Sequence, residues 1–172
     1  VMQSVMQMGV MPVQGVTQGV QPIMSYNFGA QNYQRVRHTF RLLLRTTLTV
    51  TITAFLVVSL FSKPLALIFN DDSELVELVG RVMPIFFGGI WAFGAQMACQ
   101  SAFMAMGQAK ISLFLALLRK VILLVPLAIV LPMVTGDVMG IYVAEPVADI
   151  LASATTLTLF LRKRKTLLPQ KS

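Results

Sequence analysis

Five long apolar stretches alternate with short polar ones along this chain. They run from about residues 1 to 30, 40 to 61, 79 to 106, 111 to 134 and 139 to 161. A bilayer core takes about 20 helical residues, so each stretch is long enough to cross it. The first carries no charge before Arg35. Its glycines 9, 15 and 19 and its Pro12 and Pro22 suit a membrane bundle, where neighbours re-satisfy freed backbone groups. Glutamines fall at 3, 7, 14, 18 and 21, with Ser25 next, a spacing that places them on one helical face. Such a stripe avoids lipid. It serves either hydrogen bonds between helices or the wall of a water-filled cavity.

The second stretch is rich in Thr, Val, Leu and Phe. Threonines 46, 47, 49, 51 and 53 suit a membrane helix because each hydroxyl can bond back to its own backbone. A β-barrel strand reading fails because the neighbouring stretches are too long. A loop follows, with Lys63-Pro64, then L-A-L-I-F. Asn70, Asp71 or Asp72 reads as the N-cap of the next helix, with Glu74 and Glu77 on a solvated face. In the third stretch Pro84, Gly88-Gly89 and Gly94 predict a bent, closely packed helix. Gln96 and Gln100 share a face there, either for interhelical hydrogen bonds or for cavity lining. Arg119 and Lys120 interrupt the fourth stretch, as cations able to snorkel to the headgroups. Pro126 predicts a kink or local opening, and Thr135-Gly136-Asp137 a turn.

Composition agrees with this class. Of 172 residues 56% are hydrophobic and 12% charged, about half the charge of a soluble domain. A net charge of +7 raises nucleic acid as a partner, but the basic residues sit in short clusters between apolar runs, so no nucleic-acid partner is expected. The segments 31–45 and 110–120 and the basic tail 162–172 hold 12 of the 14 Lys and Arg residues. The positive-inside rule makes that side, and the C-terminus, cytoplasmic in a multi-pass inner membrane protein. Lone Cys99 forms no internal disulfide. The chain opens inside an apolar segment with no basic n-region and cleavage site, so no signal peptide is expected. A fragment of a longer protein is.

No soluble-enzyme constellation is present, and the chain is not expected to be an enzyme. His38 is the only histidine and sits among arginines, and no phosphate-binding Gly-Lys-Ser/Thr loop occurs. The remaining chemistry lies in the fifth stretch, at Glu145 and Asp149, four apart on one face. At about 1.5 Å per residue Asp149 lies roughly 15 Å in from Met139, near the midplane. Acids at that depth are functional hypotheses by default, for coupling or gating. The plainer reading pairs Asp149 with a cation such as Arg119 on the preceding helix.

Specific residues also resemble a known family. Gly15, Gln18, Gly19, Gln21, Pro22, Ser25, Tyr26, Asn27, Gly29, Ala30, Arg35 and Val36 are similar to the eighth helix of multidrug and toxic compound extrusion (MATE) transporters. M-G-Q-A-K-I-S-L-F-L-A-L-L-R from Met106 with Val125-Pro126-Leu127 resembles the junction of the tenth and eleventh helices. G-D-V-M-G-I-Y-V-A-E-P-V-A-D from Gly136 resembles the twelfth. The pattern looks most like the MepA-type bacterial branch.

The resemblance implies an all-α polytopic membrane protein, with five transmembrane helices corresponding to helices 8–12 of a twelve-helix transporter. Residues 1–172 form its C-terminal lobe, and its partners are the missing N-terminal lobe, the bilayer and cationic amphipathic small molecules. It implies drug antiport by alternating access of two lobes, with Na⁺ or H⁺ as coupling ion and no other cofactor. Gln18, Gln21, Tyr26 and Asn27 then belong to the eighth helix and Gln96 and Gln100 to the tenth, as cavity candidates. Glu145, Asp149 and Arg119 are the coupling or gating candidates. Some members couple through an acid in the tenth helix, but here no acid lies between Arg81 and Lys110. The same architecture serves lipid-linked glycan flippases, and the rival from another class is a small non-transporting membrane subunit. The apolar, amide-rich composition, with Met24, Met83, Met97 and Met104 as adaptable contacts, favours the drug exporter.

Overall fold

The computed structural model describes residues 2–69, 73–136 and 139–168, and what it describes is helical throughout. In chain order the elements are α1 (Met2–Gly29), α2 (Tyr33–Leu60), α3 (Ser62–Phe69), α4 (Ser73–Phe86), α5 (Ile90–Ala105), α6 (Ala109–Leu117), α7 (Val125–Thr135) and α8 (Met139–Leu167). A 3₁₀ turn, Phe87–Gly89, joins α4 to α5. A π-helical stretch, Leu118–Leu124, joins α6 to α7. The described residues therefore form six continuous rods rather than the expected five.

The additional rod is α3, in the stretch read as a loop. Pro64 has no N–H for the carbonyl of Leu60, so α2 stops and a new helix starts with Pro64 in its tolerant first turn. At eight residues α3 is too short to span a bilayer. Four rods are long and apolar enough to cross a membrane: Tyr33–Leu60, Val76–Ala105, Ala109–Thr135 and Gly140–Lys163. The first rod has the length, but its glutamines lower its hydropathy and it does not join that group.

Two boundaries also move. Residues 33–45 are helical rather than loop, and α8 runs through its basic residues to Leu167. Water tolerates a helix carrying cations, so helix ends need not coincide with the apolar boundary. The expected caps at Asn70, Asp71 and Asp72, and Asp137 of the expected turn, lie outside the described residues. Gly136 ends α7 in the left-handed region at φ 66°, donating to the Pro132 carbonyl at 2.9 Å.

Pro84 and the Gly88-Gly89 pair produce the expected bend as the 3₁₀ turn. The expected opening near Pro126 is the π-helical stretch. Three of the five threonine hydroxyls of α2 donate to their own helix: Thr47 to Leu44, Thr49 to Arg45 and Thr51 to Thr47, at 2.9 to 3.1 Å.

The rods pack with α5 at the centre, against α1, α2 and α8, while α7 lies on α8. Small residues allow the close approaches. A Cβ on Gly94 would lie 2.7 Å from Thr51, and one on Gly140 would lie 2.7 Å from the backbone of Pro132. Two apolar cores result. One contains Met24, Leu43, Phe103, Leu115 and Phe160 at the end where the basic residues cluster. The other contains Val10, Val58, Met83, Phe87 and Ile90 at the opposite end. Between them lies a band of buried polar residues that includes Thr17, Thr47, Thr51, Arg119 and Asp149.

Candidate functional site

That polar band holds one charged cluster, built by three rods. The π-helical stretch carries Arg119 and α8 carries Glu145 and Asp149 one turn apart. A π turn inserts a residue into the helical register and re-aims its side chains. Arg119 nonetheless continues the buried face of Ser112 and Leu115 at α-helical spacing and points into the bundle, while Lys120 remains exposed. Its Nε donates to Asp149 Oδ1 at 2.5 Å, and its Nη2 donates to Glu145 Oε1 at 3.1 Å. The three side chains are 8%, 9% and 2% exposed. Phe93 of α5 completes the enclosure, its ring centroid 4.2 Å from the guanidinium carbon, a stacking that suits a weakly hydrated, planar cation.

Gly89 sets how closely α8 approaches. A Cβ there would sit 2.6 Å from Pro146 Cα and 3.1 Å from Asp149 Cβ. Glycine is required because backbone meets backbone. The expectation that Arg119 snorkels is thus corrected. A reachable pair of carboxylates and an aromatic face outweigh the headgroup region. The plainer reading of Asp149, a partner for Arg119, is the observed geometry.

The cluster has an uneven charge count, one guanidinium against two carboxylates. The described residues hold no group of His, Cys, Asp and Glu side chains that could hold a metal ion. The arrangement is suited to exchanging one monovalent positive charge, a proton or an alkali cation, at a carboxylate.

The six amide and aromatic candidates separate into two sets. On α1, Gln18 and Tyr26 are exposed, Tyr26 at 78%, and Gln21 and Asn27 are half-buried. Asn27 donates to Ile23 O of its own helix at 2.8 Å. On α5, Gln96 is buried and its Oε1 has no hydrogen-bond partner. Gln100 donates to Ser112 O of α6 at 3.5 Å. Gln96 therefore lies inside the bundle and Gln100, Gln21 and Asn27 are half-buried, whereas Gln18 and Tyr26 lie on an open face with Gln7, Met8 and Met11. Of the methionines, Met24 and Met83 are core residues and Met104 is exposed.

Phe93 and Gly89 were not legible as site residues. Nothing in the spacing of an aromatic and an arginine 26 positions apart indicates contact. The Gly88-Gly89 pair did signal a close approach, but not its partner.

Comparison with known proteins follows the same lines. A family model described as MatE matches residues 1–130. The FAD transporter of Shewanella oneidensis is 27% identical over 142 residues, 81% of this chain and 30% of that protein. A structure of the MATE multidrug transporter DinF-BH in a ligand complex is 33% identical, with 98% of this chain aligned on 37% of that one at a TM-score of 0.88. An inward-facing multidrug resistance MATE family transporter of the MOP superfamily aligns with 99% of this chain and 40% of its own, at a TM-score of 0.91. Its 12% identity makes that a likeness of fold alone. The chain spans about a third of the length of these proteins.

Proposed function

Because this chain belongs to the MatE family, whose members are membrane transporters and not enzymes, we propose that it forms the C-terminal lobe of a secondary active exporter. The single observation that carries this is the alignment with DinF-BH, 33% identical over 98% of this chain but only 37% of that one. On this reading the lobe works with a second, N-terminal one, and the two rock about a central cavity. The MepA-like branch, inner-membrane placement and a cytoplasmic C-terminus belong to the same proposal, as does the assignment of the long rods to helices 8–12.

The open face of α1 is the cavity wall. Pro12 and Pro22 bring no N–H to the carbonyls of Met8 and Gln18, which leaves backbone acceptors beside Gln7, Gln18 and Tyr26. Carbonyls, amides, methionines and an aromatic ring suit flat amphipathic organic cations without needing a fixed counter-charge. Gln96 and Gln100 act from behind this wall as support between helices. Arg119, Glu145 and Asp149 form the coupling or gating element, with the surplus carboxylate taking up H⁺ or Na⁺ in one state and releasing it in the other.

A second reading follows the Shewanella relative, whose name gives FAD as its cargo. An amide-lined face also accommodates an aromatic flavin. The complete gene expressed in an efflux-deficient strain decides between them. Export of cationic dyes supports the drug reading, secreted flavin supports the second, and neither would overturn both. Glu145→Gln with Asp149→Asn in that protein is expected to abolish gradient-driven export while the protein still reaches the membrane. Unchanged export would overturn the coupling role.

A further inference from the structure

On the outer surface of the bundle, away from the charged cluster and the open face of α1, α6 and α8 leave a groove of about 510 Å³. It is lined by Phe114, Ala154, Thr155, Thr158, Leu159 and Arg162. We propose that this groove is a binding site for one anionic phospholipid, its phosphate held by Arg162 and Lys110 and one acyl chain lying along Phe114 and Ala154.

The groove is amphipathic along its length. Thr155 and Thr158 line its α8 wall, but their hydroxyls donate to Leu151 O and Ala154 O at 2.9 and 2.7 Å. Their methyl groups and neighbouring apolar side chains therefore set the character of that wall. The apolar track continues inward through exposed Leu117, Val121 and Leu151. At the other end the charge changes. Lys110 lies one turn from Phe114 on the same face of α6, and Arg162 one turn from Thr158 on α8. Both turns lead toward the basic end of the bundle, so the two cations stand roughly 6 Å beyond the apolar lining. That order, cation at the rim and apolar wall toward the midplane, is that of one phospholipid standing in one leaflet.

Position and charge both favour a lipid. The two rods that form the groove are each long and apolar enough to cross a membrane, and only 11% of the most apolar stretch of Ala109–Thr135 is buried. This face is therefore turned to the acyl chains. Neither Lys110 nor Arg162 is among the described ion pairs. Glu77 pairs with Arg81 in α4, and Glu145 and Asp149 are engaged by Arg119. Basic pockets between membrane helices at a leaflet surface favour anionic headgroups, each cation contributing about 1 kcal/mol, or roughly a fivefold preference.

The test uses the complete gene product, purified in detergent and mixed with dioleoyl phosphatidylglycerol or dioleoyl phosphatidylcholine. Native mass spectrometry counts the lipid retained. One phosphatidylglycerol is expected to be retained several-fold better than phosphatidylcholine. Lys110→Gln with Arg162→Gln is expected to erase that preference, and Arg162→Lys to keep it. Ala154→Trp, which fills the groove and leaves both charges, is expected to lower retention of either lipid. Arg41→Gln, in a different basic cluster, is the control. Equal retention of the two lipids would overturn the proposal. So would loss of preference in Arg41→Gln to the same degree, since that reports a general attraction of the basic end. Unchanged retention in Ala154→Trp would place the lipid elsewhere and overturn it as well. Retained thermal unfolding in each variant separates loss of the site from loss of the fold.

Discussion

Two turns in this protein are the same turn. The amides of Ala30, Gln31 and Asn32 donate to Tyr26, Phe28 and Asn27. Those of Met106, Gly107 and Gln108 donate to Ala102, Met104 and Phe103, in the same pattern 76 residues later. Each closes a helix with a left-handed residue, Gln31 at φ 57° and Gly107 at φ 74°. The two turns fall at Gly29-Ala30-Gln31-Asn32 and Ala105-Met106-Gly107-Gln108. The left-handed positions correspond to each other, while the glycines stand two residues apart. A side chain at such a φ costs about 1 kcal/mol or more. Gln31→Gly is therefore expected to raise thermal stability by about 0.5–1 kcal/mol, and Gly107→Ala to lower it by about 1–2 kcal/mol. Unfolding of the purified protein followed by circular dichroism measures both. A loss on Gln31→Gly would show that the strain is relieved elsewhere.

Between helices the strongest coupling runs through Arg119. Its two carboxylate partners lie on α8, its aromatic cover lies on α5, and it stands on a π-helical stretch. Removing one member of a buried charge cluster leaves the others uncompensated, at about 3–5 kcal/mol. Arg119→Met is expected to fall in that range. Adding Glu145→Gln and Asp149→Asn is expected to recover much of it, and a mutant cycle measured by thermal unfolding reads the recovery. No recovery would mean that the methionine disrupts packing rather than charge. The sequence showed the acids, their common face and the plainer pairing with Arg119. It did not show Phe93, because contact between α5 and the π-helical stretch depends on how the rods cross. Nor did it show the aim of Arg119, because which face of this apolar rod is buried, the one shared with Ser112 and Leu115, is set by packing against its neighbours.

The bundle as a whole has a basic end and an end where its ion-paired surface acid, Glu77, lies. Cys99 is the single cysteine of residues 1–172 and is fully buried, so these residues present no accessible thiol at either end of the bundle. Single cysteines therefore report orientation. Gln31→Cys at the basic end is expected to react with an impermeant maleimide only after cells are opened. Lys63→Cys, at the start of α3, is expected to react in intact cells. The opposite pattern would invert the proposed orientation.

The helical class, the membrane environment and the approximate rods were settled by one-dimensional information. Apolar run length against bilayer thickness, glycine and proline placement, and the clustering of cations are all local properties. Even there α3 escaped, because eight residues after a proline do not stand out as a period. The tertiary structure decided what distant residues do to one another. It placed Gln96 inside the bundle and Gln7 and Gln18 of α1 on its open face, although all three look alike as amides on helices. It turned Arg119 from a snorkelling cation into the centre of a buried cluster. It also brought Phe114 and Arg162 to one groove across 48 positions of chain. Such relations depend on which helical face meets which neighbour, and that is set by packing the rods together rather than by any one rod's sequence.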